Sequence, residues 1–435
     1  MYENIAAIST ANGTGGVAII RISGKNSLNT ALKMFKPAAN VKRIMPNYMY
    51  SGNIIGDGFE DYGFMVYFKA PRSFTGEDIV EFHCHGGVRI ARGILKKVLS
   101  SGARAAERGE FTRRAFLNGK LSLASAEGMA DMINAESLAL VRAGSMMYFE
   151  KLTAQVRELQ DGLKDVLARS AVEIDYPEED SDGVDFAEIS KKIKSLQQSV
   201  SALIKTYIGG KKLKSGVTVA ICGKPNAGKS SLLNALLGYD KAIVSSQAGT
   251  TRDIVEGEIE INGVKYILTD TAGIREQAGE IESIGIERAK NAIVSADVVL
   301  SVTDGSGEAD IPREFSGKKF TVFNKCDKVK PSGCYDVAVS AKTGAGIEEL
   351  KEKLAQTGAV EYASDKVFII EERHYDALSR AAEFLKSAAD NIGSYTLDLI
   401  TVDLKEAWSA LGEITGETAN EEIISTVFAK FCVGK

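Results

Sequence analysis

The sequence is poor in the groups that build covalent or metal scaffolds. Its cysteines, Cys84, Cys222, Cys326, Cys334 and Cys432, are odd in number and form no C-x-x-C pair, so neither a disulfide framework nor a zinc site is indicated. His83 and His85 flank Cys84, and alternation along a strand puts both imidazoles on one face, but no third metal ligand accompanies them. No apolar run reaches the ~20 residues of a membrane span, nothing reads as a signal peptide, and no repeat or low-complexity tract appears. These absences predict a cytoplasmic protein with no membrane partner. A net charge of −5 gives no global attraction to nucleic acid, so RNA contacts must come from local groups such as Arg104, Arg108, Arg113 and Arg114, which a solvated face explains equally well. What remains is a 435-residue chain, 44% hydrophobic and 26% charged, of a size for two to four globular domains.

Against that background one segment carries chemistry. Gly223 to Ser230 (GKPNAGKS) fits the phosphate-binding pattern G-x-x-x-x-G-K-[ST] and follows the apolar, strand-like run Val217 to Cys222. Its glycines let backbone N–H groups wrap a β-phosphate, Lys229 can neutralise the β/γ oxygens, and Ser230 can ligate Mg²⁺. Nucleotide contacts are expected from Asn226, Ala227, Gly228, Lys229, Ser230 and Ser231. Three later segments sit at strand ends in the order a nucleotide switch domain requires. Asp270, Thr271, Ala272 and Gly273 supply a metal-side carboxylate and a γ-phosphate-sensing glycine. Asn324, Lys325 and Asp327 follow Phe320 to Phe323, and Ser340, Ala341 and Lys342 follow Val337 to Val339. An ionised Asp327 only accepts hydrogen bonds, so it suits guanine, whose N1–H and 2-amino group donate side by side. The chain reads as a GTPase, with Cys326 a neutral spacer inside the base-recognition motif.

Two features of ordinary hydrolysis machinery are missing. Ile274 stands where many small GTPases place a water-orienting glutamine, and no arginine finger is assignable. Glu276, Glu280 and Glu282 follow, each of which could equally be a solvated carboxylate on an amphipathic helix.

The chain divides around this motif set. Strand-rich segments (Ile5 to Ser23, Gly63 to Gly86) come first, then helical patterns from about Leu123 to Tyr207, and again from Phe368 to Leu411. Gly209 to Gly216 (GGKKLKSG) is expected to be a hinge, and the acidic run Glu173 to Asp185 a solvated loop. Trp408 falls on a helical pattern with Leu404 and Leu411, so core packing is its default.

Beyond these motifs the chain resembles the MnmE (TrmE) family of tRNA modification GTPases from end to end. The resemblance runs through GGVAIIRISG (Gly15 to Gly24), SFTGEDIVEF (Ser73 to Phe82), HGG (His85 to Gly87), GEFTRRAFLNGKL (Gly109 to Leu121), AGTTRD (Ala248 to Asp253), ALGEITGE (Ala410 to Glu417) and FCVGK (Phe431 to Lys435). It implies a multidomain α/β and α fold: an N-terminal α+β folate-binding and dimerisation domain (1–118), a discontinuous helical domain (119–214 and 359–435) and an inserted Ras-like P-loop GTPase domain (215–358). It implies that Arg21, Glu81, Lys120 and Lys435 contact a tetrahydrofolate derivative, 5-formyl- or methylene-tetrahydrofolate. A pterin's amide-like donors suit a carboxylate such as Glu81, and its glutamate tail suits a cation. It also implies GTP or GDP contacts from Ser245, Ser246, Gln247, Ala248, Gly249, Thr250 and Thr251. Ser230 and Thr251 would hold Mg²⁺, and Asn226, Ser245, Gln247 and Thr250 would hold K⁺ in place of the arginine. Glu282 is given the water-orienting role, and Cys432 stands as either a catalytic thiol or a packing residue. The family's members form homodimers through the N-terminal domain and act with an FAD-containing MnmG-type partner on C5 of the wobble uridine of certain tRNAs. Asn12-Gly13-Thr14 and Ser122 to Ser125 depart from the family pattern. One rival class stands beside this expectation, a ribosome-assembly or signalling GTPase with a partner-binding N-domain; a folate-dependent transferase with a vestigial G domain is disfavoured because every G motif is intact.

Overall fold

The computed structural model describes residues 3–175, 186–238, 256–271, 282–307, 310–331, 333–358, 366–392 and 396–435. The chain opens with β1 (Ile5–Ile8), β2 (Val17–Ser23), α1 (Ser27–Leu32), β3 (Phe35–Pro37), β4 (Met49–Ile55), β5 (Glu60–Phe68), β6 (Ile79–His85), α2 (Val88–Ser100), β7 (Arg104–Ala105) and α3 (Glu110–Leu117). Helices α4 (Leu123–Asn134), α5 (Leu138–Tyr148), α6 (Lys151–Asp175), α7 (Phe186–Lys205) and α8 (Tyr207–Ser215) follow. Next come β8 (Val217–Gly223), α9 (Lys229–Gly238), β9 (Glu256–Ile261), β10 (Val264–Asp270), α10 (Glu282–Ser295), β11 (Val298–Thr303), β12 (Lys318–Phe323), β13 (Val337–Ala338) and α11 (Ile347–Gly358). The last helices are α12 (Glu372–Asn391), α13 (Leu397–Thr415) and α14 (Glu421–Ala429). They gather into two compact units, one of Met1–Ala130, Gly144–Val200 and Ala377–Lys435, the other of Asp131–Ala143 and Ser201–Asp376.

The first unit is built on a seven-stranded sheet in the order β3-β4-β5-β6-β2-β1-β7. Period-two alternation sorts its faces. Ile20, Ile22, Phe82 and Cys84 are buried beneath α2, whose Ala91, Ile94 and Val98 recur at helical spacing, while Arg21, Glu81 and His83 point to the other face. In the helical part, Leu152, Val156, Leu159, Leu163 and Val166 line one side of α6 against α13, which contributes Ile400, Leu404, Ala407 and Leu411. Trp408 is half-buried, with the Lys164 ammonium 5.6 Å from its ring centre. Asn420 caps α14 by accepting from the Ile423 amide at 2.9 Å, and Val427, Phe428 and Phe431 pack with Leu123 and Ala126.

The second unit holds a six-stranded sheet, β13-β12-β11-β8-β10-β9, parallel except for β9. Its inner strands are near-continuous apolar runs, because helices cover both faces of a parallel sheet: all of β11 (VVLSVT) is buried. One expectation is corrected here. Tyr207–Ser215 is the helix α8, so Gly209 to Ser215 form no hinge. Buried Leu213 and the pairs of Lys212 with Asp297 and Lys214 with Asp131 hold this run, outweighing its two glycines. The acidic run from Tyr176 to Asp185 lies outside the described residues. Among them, no helix is long and apolar enough to cross a membrane.

A charge network stiffens the first unit. Arg114, only 4% exposed, donates to Glu77 and Glu110, each at 3.0 Å, and Arg104 donates to Glu110 at 2.6 Å. Burial pushes the Glu110 carboxyl up, but Arg104, the Glu107 amide and Arg114 outweigh it and hold it at about 2. A folded value below the ordinary 4.5 means that the stabilisation is present above pH 4.5 and is lost as pH falls towards 2. Glu110→Gln should therefore cost on the order of 2 kcal/mol at pH 7, less than the full loss of a buried pair because Arg114 keeps Glu77. Urea titrations of both proteins check this: the difference should shrink steadily below pH 4.5.

Candidate functional site

Two sites take shape, one in each unit. In the second, β8 delivers the phosphate loop and α9 begins at its lysine, Lys229. The loop is braced from within: Lys229 Nζ donates to the Lys224 carbonyl at 3.0 Å, so the buried ammonium is bent over the loop it serves. The Ser230 hydroxyl donates to Asp270 Oδ2 at 2.6 Å, bringing a hydroxyl and a carboxylate oxygen together as a hard donor pair of the kind Mg²⁺ prefers. Thr271 Oγ1 bonds the Ile221 carbonyl at 2.9 Å, fixing the end of β10 to β8.

The base-recognition loops are tied to the phosphate loop by the side chains of Asn324 and Lys325. Asn324, 2% exposed, donates from Nδ2 to the Ala227 carbonyl at 3.0 Å and accepts at Oδ1 from the amides of Lys325 at 2.8 Å and Ala341 at 3.1 Å. Lys325 adds a second tie, reaching the Asn226 carbonyl at 2.7 Å and Asp304 at 2.6 Å. Ser340 Oγ donates to Asp327 Oδ1 at 2.7 Å, and that bond heads the influences holding the exposed Asp327 carboxyl below its ordinary range. Asp327 thus stays an acceptor at neutral pH. Asn226, Ala227, Gly228, Lys229, Ser230 and Ser231 line the loop and α9, and Lys342 follows Ala341 in the base-side turn. Ser245, Ser246, Gln247, Ala248, Gly249, Thr250, Thr251, Ala272 and Gly273 lie outside the described residues, as do Ile274, Glu276 and Glu280. Glu282 begins α10.

The site in the first unit grows from the open face of the seven-stranded sheet. Arg21 on β2 stands opposite Glu81 on β6, with Nε 2.8 Å from Oε1. His83, two residues along the same face, meets Glu81 Oε2 at 3.2 Å. Burial pushes the Glu81 carboxyl up, but His83 and Arg21 outweigh it and keep it below its ordinary value. The Arg21 guanidinium lies 5.5 Å from the Phe74 ring centre and 5.7 Å from that of Phe111. Lys120 reaches the same 71–76 loop, donating to the Pro71 carbonyl at 3.0 Å. An ionised carboxylate beside cations and aromatic rings fits a flat heterocycle that carries adjacent N–H donors and an anionic tail.

The FCVGK segment meets this region through backbone. Val433 pairs with Arg108, the Gly109 amide donates to the Cys432 carbonyl at 3.4 Å, and Gly434, at φ +98°, sits where a Cβ would lie 2.3 Å from the Ile8 carbonyl. Only glycine fits that position. Ala7, the next residue of β1, faces Arg21 across the ladder. Cys432 is exposed, and among the described residues no hydrogen bond or ion pair joins Lys435 to Arg21, Glu81 or Lys120. Sequence reasoning missed His83 as the partner of Glu81 and the two phenylalanines around Arg21. The first was available from strand periodicity, whereas the second depends on the fold of the 71–76 loop. His83 and His85 share a face, but His85 turns to Asp61 at 2.6 Å, and no metal cluster forms among the described residues.

Asn324→Ala would strip partners from three backbone groups, each worth about 1–3 kcal/mol when left buried. The expected outcome is GTP affinity lowered at least ~10-fold and a loss of nucleotide-induced thermal stabilisation, read by melting the purified protein with and without GTP.

Comparison with known proteins adds to this geometry. The family model of the MnmE helical domain matches residues 123–432, and that of the GTP-binding protein TrmE N-terminus matches residues 4–120. A tRNA modification GTPase MnmE of Natranaerobius thermophilus is 37% identical over 455 residues, covering 100% of this chain and 99% of that protein. That of Thermoanaerobacter pseudethanolicus is 37% identical over 460 residues, covering 100% of both. Among solved structures, the G domain of the T. maritima FeoB iron transporter is 30% identical, covers 34% of this chain and 99% of its own, and gives a TM-score of 0.24.

Proposed function

The chain belongs to the MnmE (TrmE) family of tRNA modification GTPases, and from that membership we propose how its two sites divide the work. It is a GTP hydrolase, and tRNA is its macromolecular substrate. In the G domain, which we take to span residues 215–358, Ser230 and Asp270 with Thr251 would hold Mg²⁺, which neutralises charge on the β/γ oxygens. Lys229 adds a second cation there. Asp327, aimed by Ser340, accepts from guanine, so the nucleotide is chosen by its base. Glu282 orients the attacking water, and Asn226, Ser245, Gln247 and Thr250 would hold K⁺, whose charge serves where other GTPases use arginine.

The N-terminal site binds a tetrahydrofolate derivative through Arg21, Glu81, Lys120 and Lys435. A tetrahydrofolate held there would supply a one-carbon unit that, joined to ammonium or glycine, makes the aminomethyl or carboxymethylaminomethyl group on C5 of the wobble uridine, with the FAD of an MnmG-type partner supplying the redox chemistry. Glu81 receives the pterin donors, and the cations hold the glutamate tail. The observation that carries this reading is the Arg21–Glu81 pair on an open sheet face, with the FCVGK segment seated on the neighbouring strand β1. Val17, Tyr62 and Phe64 are exposed on the same face, 57%, 55% and 42%, which supports its burial in a homodimer. GTP turnover drives opening and closing rather than the carbon chemistry.

GTP hydrolysis is expected to run faster in KCl than in NaCl at matched ionic strength, on the order of tenfold. Asn226→Ala should erase the difference while GDP affinity stays nearly unchanged. Equal wild-type rates in the two salts would sink the K⁺ assignment.

Deleting Phe431 to Lys435 should abolish wobble-uridine modification in complemented cells while basal GTP hydrolysis persists. Because Phe431 is buried in a cluster, Lys435→Ala serves as the companion that spares packing. Its loss of one partly buried ion pair, about 1.5–3 kcal/mol, predicts folate affinity lower by roughly 10- to 100-fold in a binding titration. Full modification by the truncated protein would reduce FCVGK to a packing element.

A further inference from the structure

β10 joins two places that the nucleotide chemistry leaves unconnected. At one end is Asp270, bonded to Ser230 of the phosphate loop. At the other is the turn to β9, where Asn262 and Gly263 hold φ of +51° and +82°, as a two-residue hairpin turn requires. Between them β10 pairs with β8 over five residues, Tyr266 opposite Val217 through Asp270 opposite Ile221. That ladder ties β10 to the strand that carries the phosphate loop.

The hairpin tip is docked on the junction between α4 and α5. The Gly263 carbonyl accepts from the Ala139 amide at 2.9 Å, satisfying a donor in the first turn of α5 that has no intrahelical partner. Lys265, its side chain 14% exposed, pairs with Glu136 at 2.5 Å and Glu258 at 2.7 Å. Burial pulls the Lys265 ammonium down, but the two carboxylates outweigh it and hold it above its ordinary range. At the far side of the same junction, Asp131 meets Lys214 at 2.9 Å. Residues 131 to 139 are therefore gripped at both ends by groups at the starts of β8 and β10, the strands whose other ends carry the phosphate loop and Asp270.

We infer that Lys265 and Glu136 are positioning residues that transmit the state of the phosphate site to α5. A displacement of β10 set at Asp270 reaches α5 through the Gly263 carbonyl and this ion pair, and α5 runs on unbroken to Tyr148. The inference rests on the reading that nucleotide turnover drives a conformational change needed for tRNA modification. Stability does not explain the pair: Glu136 is 63% exposed, and ion pairs so placed contribute little to folding.

The test uses full-length Glu136→Ala, Lys265→Met, their double variant and Lys265→Arg. Each is assayed for GTP hydrolysis and thermal midpoint when purified, and for wobble nucleosides by mass spectrometry in cells lacking the wild-type protein. Hydrolysis and midpoint are expected to stay near wild type in every variant. Modified uridine should fall by about fivefold or more in each single variant, the lower bound of ordinary allosteric coupling, and no further in the double. Lys265→Arg, which keeps charge and reach, should restore it. Wild-type modification in both single variants, or losses that add in the double and track a lowered midpoint, would overturn the coupling. Wild-type protein that restores no modified uridine would instead overturn the functional reading, and the coupling with it.

Discussion

Two buried carboxylates share one ammonium where the chain enters and leaves its nucleotide-binding segment. Lys214 stands three residues before β8 and bonds both Asp131 on α4 and Glu371, the residue before α12. A segment inserted into a helical region must bring its two ends together, and this cluster is where they meet. Burial lowers the Lys214 ammonium, yet Asp131 and Glu371 more than reverse it. Burial and the neighbouring Glu371 in turn push the Asp131 carboxyl up, outweighing the pull of Lys214. Losing Lys214 would remove a cation that both carboxylates share, and breaking a buried charge cluster by removing one member is strongly destabilising. The register of β8, and with it the origin of the phosphate loop, starts from that anchored lysine.

Within each unit, polar side chains tie the loops of the site together. Asn324 pulls the base loop, the phosphate loop and the Ser340 turn into one piece. In the first unit, Ser23, Thr75, Glu77, Arg114 and Glu110 form a continuous chain of hydrogen bonds that begins at the end of β2, the strand that presents Arg21. Both arrangements fix charged and polar groups in place, and such preorganisation lowers the entropy cost of binding.

The nucleotide site was legible because its chemistry is local. A strand, a glycine-bearing turn and a lysine lie within a few residues, and the partners of Asp270 and Asp327 follow from strand order. The hinge at Gly209 to Gly216 was misread for the opposite reason. Its glycines argue for a break, and only the distant partners Asp297, Asp131 and Glu371 make it a helix. The folate-type site could be named through resemblance, yet its phenylalanines could not be found from spacing. Phe74 and Phe111 reach Arg21 from segments 53 and 90 residues further along the chain. The docking of Gly263 on Ala139 was equally invisible, since a carbonyl leaves no trace in sequence pattern.

The order in which the chain can fold follows from which segments its helical core needs. Gln160 on α6 bonds the Trp408 carbonyl on α13, a separation of 248 residues, and Arg113 pairs with Glu421 across 308. The second unit, by contrast, is complete by Asp376. During synthesis the nucleotide-binding unit therefore reaches a foldable state first, while α6 must wait with its apolar stripe uncovered until α13 has emerged. The catalytic insertion becomes the early-folding element, and the scaffold that hosts it is finished afterwards.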